Sequence, residues 1–86
     1  MKTGIELIAE ERQRQIEVEG FTAEHDDQHK SGELADAALC YLRPACIDVW
    51  RWDNKWWKPT PDNRIRELQK AGALIAAEID RIQRIN

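Results

Sequence analysis

Residues 32–43 read Gly-Glu-Leu-Ala-Asp-Ala-Ala-Leu-Cys-Tyr-Leu-Arg and predict a helix. On a helical projection of about 100° per residue its apolar side chains lie almost all round the axis, which is typical of a central helix in an α-helical protein. Its two acids, Glu33 and Asp36, lie three residues apart and share one stripe with Cys40. The stretch therefore predicts a central helix that carries two carboxylates.

The two carboxylates have two interpretations. On a mostly buried helix they repel each other and lose hydration unless a cation compensates them, and Mg²⁺ or Mn²⁺ would do so because hard ions take oxygen ligands. Alternatively, acids in a first helical turn are stabilised by the helix dipole, which Glu33 satisfies more readily than Asp36. The two carboxylates therefore indicate either a metal site or the start of a helix.

Upstream, residues 5–18 predict a first helix, whose apolar arc consists of Ile5, Ile8, Ala9 and Ile16, extended by Leu7 and Val18. Glu11, Arg12 and Gln15 fall inside this arc, whereas Glu10 falls on the opposite side. Polar groups on a buried stripe cost free energy unless they are paired or bound, so Glu11 is a candidate ligand. The alternative is a partly wet helix from which Arg12 reaches solvent.

The loop between these helices is dense in metal-ligand types. It follows Gly20, which suits a left-handed helix end, and it runs into Ser31, a good N-cap. It reads Glu24-His25-Asp26-Asp27-Gln28-His29. These acids and histidines act either as ligands and proton carriers or as turn caps and surface histidines.

Downstream of Pro44, a long connection holds all four tryptophans, interleaved with cations: Trp50, Trp52, Trp56 and Trp57 with Arg51, Lys55 and Lys58. Indoles stack on nucleobases and cations meet phosphate, which favours a nucleotide-facing loop with Trp52 and Trp56 as candidates. The other interpretation, favoured for most of the tryptophans, is that they supply core that the aliphatic residues do not.

A third helix is expected to run to about Ile85 from Thr60-Pro61, which resembles an N-cap followed by a proline in the first turn. One face carries Ile65, Leu68, Gly72, Ile75, Ile79 and Ile82, and it predicts a core stripe. Arg66, Lys70, Asp80 and Arg81 are then expected to face away. Lys70 is a candidate phosphate contact or a solvated lysine.

Composition limits the protein to one thinly packed domain, residues 1–86. Leu, Ile, Val and Phe number 18 of 86 residues, so the core is small, and an apolar helix over 32–43 needs more cover than two further helices give. We therefore expect at least a homodimer. Cys40 and Cys46 are expected to be buried, reduced thiols, since neither fits a disulfide framework or a zinc spacing.

The net charge of −3 gives no general reason to bind nucleic acid or an anionic membrane. Its distribution is uneven: residues 1–36 carry 10 acids and 4 bases, whereas residues 37–86 carry 6 acids and 9 bases. The acidic residues 1–36 favour binding of cations, and the basic residues 37–86 favour binding of phosphate. No apolar run is long enough for a membrane span or a signal peptide, so a cytoplasmic location is expected.

The doublet Glu10-Glu11 and the segment Glu33-Leu34-Ala35-Asp36 resemble the EExxE and ExxD patterns of the MazG-like family of all-α nucleoside triphosphate pyrophosphohydrolases. More narrowly, the chain is similar to small phage- and prophage-encoded proteins grouped with that family. This likeness runs from Glu11-Arg12 through His25-Asp26-Asp27 to Gly32-Glu33-Leu34, and returns at Lys70-Ala71-Gly72-Ala73-Leu74. It covers roughly residues 6–42 and, more loosely, 64–84.

The resemblance implies a helical bundle completed by dimerisation or tetramerisation, in which Mg²⁺ or Mn²⁺ binds a nucleoside triphosphate. Water then attacks the α-phosphorus, which releases pyrophosphate and a nucleoside monophosphate. The implied metal ligands are Glu10, Glu11, Glu33 and Asp36, with Asp27 as a further one; Glu11, Glu33 and Asp36 are the implied catalytic residues; Lys70, Trp52 and Trp56 are the candidates for substrate binding.

Two features depart from the family pattern. The projection turns Glu10 outward, which leaves Glu11 as the one inward acid of the first helix, and the third glutamate of EExxE is replaced by Arg14. Either Asp26, Asp27 or a histidine replaces the missing ligand, or the active site is degraded. The alternative function is therefore a non-enzymatic, phage-encoded interaction protein or host modulator that keeps the bundle without the chemistry.

Overall fold

The computed structural model describes residues 1–85 and is all-α, as predicted, with no β-strand in that range. Its α-helices are α1 (Gly4–Glu17), α2 (Ala23–Asp27), α3 (Glu33–Leu42) and α4 (Arg64–Arg84), with 3₁₀ turns at Pro44–Val49 and Asn54–Trp56. The three predicted helices are present, and α2 is an additional short helix within the acidic loop. Not one of the helices in this part of the chain is both long enough and apolar enough to cross a membrane.

Local side-chain chemistry sets the helix starts, partly at other residues than predicted. A capping box opens α1: the Thr3 hydroxyl accepts from the Glu6 N–H at 3.2 Å, and the Glu6 carboxylate accepts from the Thr3 N–H at 2.9 Å. The predicted N-caps Ser31 and Thr60 are wrong. Gly32, at φ +84°, precedes α3, and Asn63 caps α4 because its Oδ1 accepts from the Arg66 N–H at 3.1 Å.

The centre of the structure is α4 rather than α3. Both α1 and α3 pack along α4, while contact between α1 and α3 themselves is marginal at most. The core consists of Phe21, Leu34, Ala37, Ala38, Tyr41, Ala71, Leu74 and Ala77. Its alanines let the backbones of α3 and α4 approach closely, so a few apolar side chains are enough to hold them together.

The predicted core stripe of α4 is wrong for the single chain. Its five large members, Ile65, Leu68, Ile75, Ile79 and Ile82, are between 42% and 63% exposed. The opposite prediction for Lys70 and Arg81 also fails, since each is only 6% exposed. The physical reason is that α4 has two apolar faces, and α3 packs against the one made of small residues. Ile5 and Ala9, predicted to face the core from α1, are likewise exposed.

The tryptophan loop packs on this core. Trp50, Trp52 and Trp57 are partly buried against it, which confirms the packing role predicted for most of the indoles. The Lys58 N–H donates to the Tyr41 hydroxyl at 3.2 Å, and Arg64 donates to the carbonyl of Leu42 at 2.7 Å at the end of α3. These bonds fix the loop beside α3 and α4.

Candidate functional site

A cleft opens between α1, the tryptophan loop and the core face of α4. Its narrow inner part has a volume of about 20 Å³, and four residues of its wall also line an adjoining outer pocket of about 260 Å³. The inner part has room for one water or one ligand group. We call this the tryptophan cleft; its lining includes Glu11, Gln15, Trp52, Trp56, Lys58 and Lys70.

Glu11 lies at the floor of the cleft and is 2% exposed. Arg14 donates to both of its carboxylate oxygens at 2.8 and 2.9 Å, and Arg66 lies 2.6 Å from Oε1. Burial raises the pKa of Glu11, but hydrogen bonds and charges from Arg14 and Arg66 outweigh burial and hold the pKa below its usual value. Glu11 is therefore an ionised carboxylate at neutral pH.

Gln15, one turn along α1, has an unpartnered acceptor. Its Nε2 donates to Glu11 at 3.3 Å, and its Oε1 is buried without a hydrogen-bond partner among the described residues. Exchanging the two amide atoms would bring oxygen against the Glu11 carboxylate, so the orientation is fixed by electrostatics. An unsatisfied buried acceptor costs about 1–3 kcal/mol, and a donor in the cleft would remove that cost.

Lysines and acids alternate around the cleft. The Lys70 ammonium donates to the Lys58 carbonyl at 2.5 Å, and the Lys58 ammonium lies 2.9 Å from Glu19. Burial, followed by the charge of Arg66, lowers the pKa of Lys70, whereas Glu11 and Glu67 oppose that shift. In the lining, three cations face the carboxylates of Glu11 and Glu19, so one positive charge is in excess.

Aromatic rings line the outer part of the cleft. His25 stacks on Phe21 at 4.6 Å between centroids, and the Trp52 ring lies 5.1 Å from His29. Trp56 is 37% exposed at the mouth, with the Lys58 ammonium 6.0 Å from its ring. Exposed indole beside a cation suits a flat, negatively charged ligand.

The structure thus places the three predicted substrate-binding residues, Trp52, Trp56 and Lys70, around one cleft. The projection that turned Glu11 inward and Glu10 outward is confirmed. Sequence reasoning missed Gln15 as a cleft residue. It also missed the Glu11–Arg14 ion pair, although the spacing of three residues on one helix was a usable signal.

The predicted metal ligands are not brought together within the chain. Each lies against a basic side chain instead: Glu10 against Lys2, Glu11 against Arg14 and Arg66, Asp27 against Arg84, Glu33 against His29, and Asp36 against Arg51. Within residues 1–85 no three His, Cys, Asp or Glu side chains are grouped so as to hold a metal ion. The acids of α1 and α3 stay apart because both helices pack on α4 rather than on each other.

Glu33 has a local role as well as its ion pair. Its Oε1 accepts from the Ser31 N–H at 2.7 Å, which satisfies a backbone donor at the start of α3. The helix-start interpretation of Glu33 therefore describes its place in the single chain. Cys40 and Cys46 are unpaired thiols, as predicted, but only Cys40 is buried, and its Sγ donates to the Cys46 carbonyl at 3.4 Å.

Comparison with known proteins gives no match to a family model, a curated protein or a solved structure. Membership of the MazG-like family therefore stays a prediction from Glu11, Glu33 and Asp36. Function has to be inferred from the residues of the cleft.

Proposed function

We propose that the protein is a nucleoside triphosphate pyrophosphohydrolase that binds its nucleotide in the tryptophan cleft. The reaction, cleavage of a triphosphate to a monophosphate and pyrophosphate, is proposed from the resemblance of the acidic motifs. The place of binding is proposed from the cleft itself. The non-enzymatic alternative keeps the bundle and does not catalyse this reaction.

The observation that carries the ligand class is the buried, unpartnered Oε1 of Gln15, a residue in the lining of the cleft. A nucleobase offers ring or exocyclic N–H groups to such an acceptor, and its faces stack on indole. Stacking of one base on an aromatic side chain contributes about 1–3 kcal/mol. The excess positive charge from Lys58, Lys70 and Arg14 suits the phosphates that extend from the sugar.

Size points in the same direction. A volume of about 260 Å³ lies just under the roughly 300–1,000 Å³ of ordinary small-molecule sites. The outer pocket therefore suits a base with its sugar, and Gln15 and the cations Arg14, Lys58 and Lys70 line the narrow inner part that adjoins it.

Mg²⁺ or Mn²⁺ remains the proposed cofactor, but the single chain does not fit it. Two arginines occupy the carboxylate of Glu11, and Arg51 lies 2.6 Å from Asp36. We therefore derive no hydrolytic step through a metal. Calorimetric titration of the nucleotide with Mg²⁺ and then with EDTA measures whether binding depends on the ion.

Hydrolysis is tested by incubating purified protein with standard and deoxynucleoside triphosphates and either metal. Phosphorus NMR is expected to show monophosphate and pyrophosphate, with no orthophosphate as primary product. Because the resemblance implies that Glu33 is a catalytic carboxylate, Glu33→Gln, which keeps the side-chain shape and removes the charge, is expected to abolish turnover while the circular dichroism stays helical. The exposed Glu24→Gln is the matched control. Absence of turnover with every substrate and both metals would overturn the enzymatic proposal.

Nucleotide binding is tested separately through Trp56 and intrinsic tryptophan fluorescence. Trp56→Ala is expected to weaken a nucleoside monophosphate by about 5- to 150-fold, the equivalent of one lost base stack. Trp56→Phe should restore much of the affinity because it returns an aromatic face. Equal affinity for wild type and Trp56→Ala would contradict stacking at this indole.

The second candidate function is a non-enzymatic interaction protein, which the Glu11–Arg14 pair favours. Arg14 stands where the family pattern has its third glutamate, and it neutralises the inward acid. Such a protein would bind the nucleotide, or a host partner, without turnover. Nucleotide affinity in the fluorescence titration without hydrolysis by phosphorus NMR would support it.

A further inference from the structure

The outer pocket of the tryptophan cleft differs in charge from the inner part that adjoins it. Five of the residues that the structure describes in its lining carry aromatic or imidazole rings, the other two are Glu19 and Asp53, and neither Lys nor Arg is among them. The lining of the inner part includes Arg14, Lys58 and Lys70. The inner part therefore favours a bound phosphate, whereas the outer pocket favours a positive charge.

The two carboxylates of the outer pocket differ in how far their charge is compensated. The Lys58 ammonium lies 2.9 and 3.0 Å from the two oxygens of Glu19, and Arg14 lies 3.5 Å from one of them. Asp53 takes part in none of the ion pairs between described residues, and its Oδ1 accepts a hydrogen bond from the backbone N–H of Lys55 at 3.0 Å. Asp53 is therefore the carboxylate of this pocket that can pair with a cationic ligand.

The rings of the outer pocket form a concave aromatic wall. The Phe21 centroid lies 5.7 Å from that of Trp52 and 6.2 Å from that of Trp56, and the ring planes are inclined at 61° and 51°. His25 stacks almost parallel on Phe21, at an angle of 8°, which holds that ring in place. Because the face of an aromatic ring carries negative potential, such a wall attracts a cation.

The chain's own cations contact only part of this wall. The ammonium groups of Lys55 and Lys58 lie 5.6 and 6.0 Å from the Trp56 ring. Within the part of the chain that the structure describes, no Lys or Arg lies over the ring of Phe21 or Trp52. These two rings therefore have no lysine or arginine of the same chain to balance their negative potential.

We infer that the outer pocket selects a base that carries a positive charge, the class formed when a ring nitrogen of a nucleobase is alkylated. This inference rests on the proposed binding of a nucleotide in the tryptophan cleft, and it names the class of base. An uncharged base gains only the stacking on indole, whereas a cationic base also gains attraction to the ring faces and to Asp53.

A nucleotide with such a base has the same separation of charge as the cleft. Its phosphates keep the whole molecule anionic and are attracted by the cations of the inner part, while its base brings a positive charge to Asp53. An ordinary nucleotide matches only the inner part. A small quaternary ammonium ion matches only the outer pocket, since it has no phosphate and no N–H to donate to the buried Oε1 of Gln15.

Calorimetric titration at neutral pH with two isomeric nucleosides tests the inference. 1-Methyladenosine carries a positive charge under these conditions and N6-methyladenosine does not, while both contain the same base and one added methyl group. 1-Methyladenosine is expected to bind about 5- to 30-fold more tightly, the equivalent of a cation–π contact in a partly desolvated pocket. Equal affinities, or tighter binding of N6-methyladenosine, would overturn the inference.

Asp53→Asn tests the carboxylate in the same titration. Asparagine keeps an oxygen that can accept the Lys55 N–H and removes the charge. The preference for 1-methyladenosine is expected to fall about 3-fold or more, while the affinity for N6-methyladenosine changes less than about 2-fold. Asp48→Asn, at an exposed aspartate between α3 and α4 that is not in the lining of the pocket, should keep the preference. An undiminished preference in Asp53→Asn would overturn selection by this carboxylate.

Choline carries the charge without a flat ring, and it is expected to bind at least about 10-fold more weakly than 1-methyladenosine. Comparable affinity would overturn the assignment to a base. Because both nucleosides lack phosphate, their titration does not depend on hydrolysis or on phosphate contacts. Equal affinities of the two nucleosides would leave the proposed nucleotide binding in place, whereas binding of neither nucleoside nor of a nucleoside triphosphate would overturn both proposals.

Discussion

Glu11→Gln is expected to lower the free energy of unfolding by about 3 kcal/mol, the lower end of what is lost when one partner of a buried ion pair is removed. The wild-type carboxylate is 2% exposed and receives hydrogen bonds from Arg14 and Gln15, with Arg66 at 2.6 Å. A neutral amide cannot accept from all of these donors, and it removes the shared counterion of two guanidinium groups, leaving Glu19, 3.5 Å from Arg14, as the remaining carboxylate. The lower end applies because both arginines are partly exposed and can turn to water.

Glu10→Gln is the matched control, because it makes the same chemical change one residue away. Glu10 pairs with Lys2 at the surface, where such pairs contribute about 0–1 kcal/mol. For a chain of this size a loss of about 3 kcal/mol lowers the melting temperature by roughly 12–24 °C. Urea unfolding measures the free energy of unfolding of the two variants. Similar midpoints for both would show that the Glu11 ion pair does not stabilise the fold.

The contribution of Glu11 to the free energy of unfolding is expected to depend on pH. The folded pKa of Glu11 is lowered relative to the unfolded chain, so its contribution is complete above the unfolded pKa of about 4.3. The contribution is lost as pH falls through the lower folded pKa. The stability difference between wild type and Glu11→Gln is therefore expected to be constant from about pH 7 to 5 and to shrink below about pH 4. A difference that grows in acid would contradict the lowered pKa.

How much of this could be predicted from the sequence differs between helices. The helical projection of α1 was sufficient to predict that Glu11 points inward, since Glu11 is one of three polar residues that fall within the apolar arc. Projection of α4 identified its isoleucine face correctly, but the prediction that this face packs in the core is wrong. Periodicity shows which side chains share a face, but it does not show whether that face packs on the same chain or remains exposed. Of the two apolar faces of α4, α3 packs against the one with the alanines, because close approach of two helix backbones needs small side chains.

The candidate site was less predictable because its contacts join distant parts of the chain. The ion pair of Asp36 with Arg51 bridges 15 residues, and that of Glu11 with Arg66 bridges 55. Spacing along one helix cannot show which cation reaches a carboxylate from elsewhere. The Glu11–Arg14 pair is the exception, since both partners lie on one helix.

Lys70→Met is expected to separate ligand binding from stability. Lys70 is 6% exposed, and burial lowers its pKa, which means that the fold disfavours its charge. Methionine has a similar length and is apolar, so it removes that desolvation cost while giving up the hydrogen bond to the Lys58 carbonyl at 2.5 Å. We expect the unfolding free energy to change by no more than about 1 kcal/mol.

Nucleotide affinity should respond very differently, because a desolvated ammonium is the kind of group that binds phosphate strongly. Its loss is expected to weaken a nucleoside triphosphate by about 30-fold or more, and a nucleoside without phosphate by much less. Lys55→Met, at an exposed lysine 5.6 Å from the Trp56 ring, is the control and should change affinity only a few-fold. Unchanged triphosphate affinity in a folded Lys70→Met protein would show that the positive charge at the inner end of the cleft does not bind the phosphates.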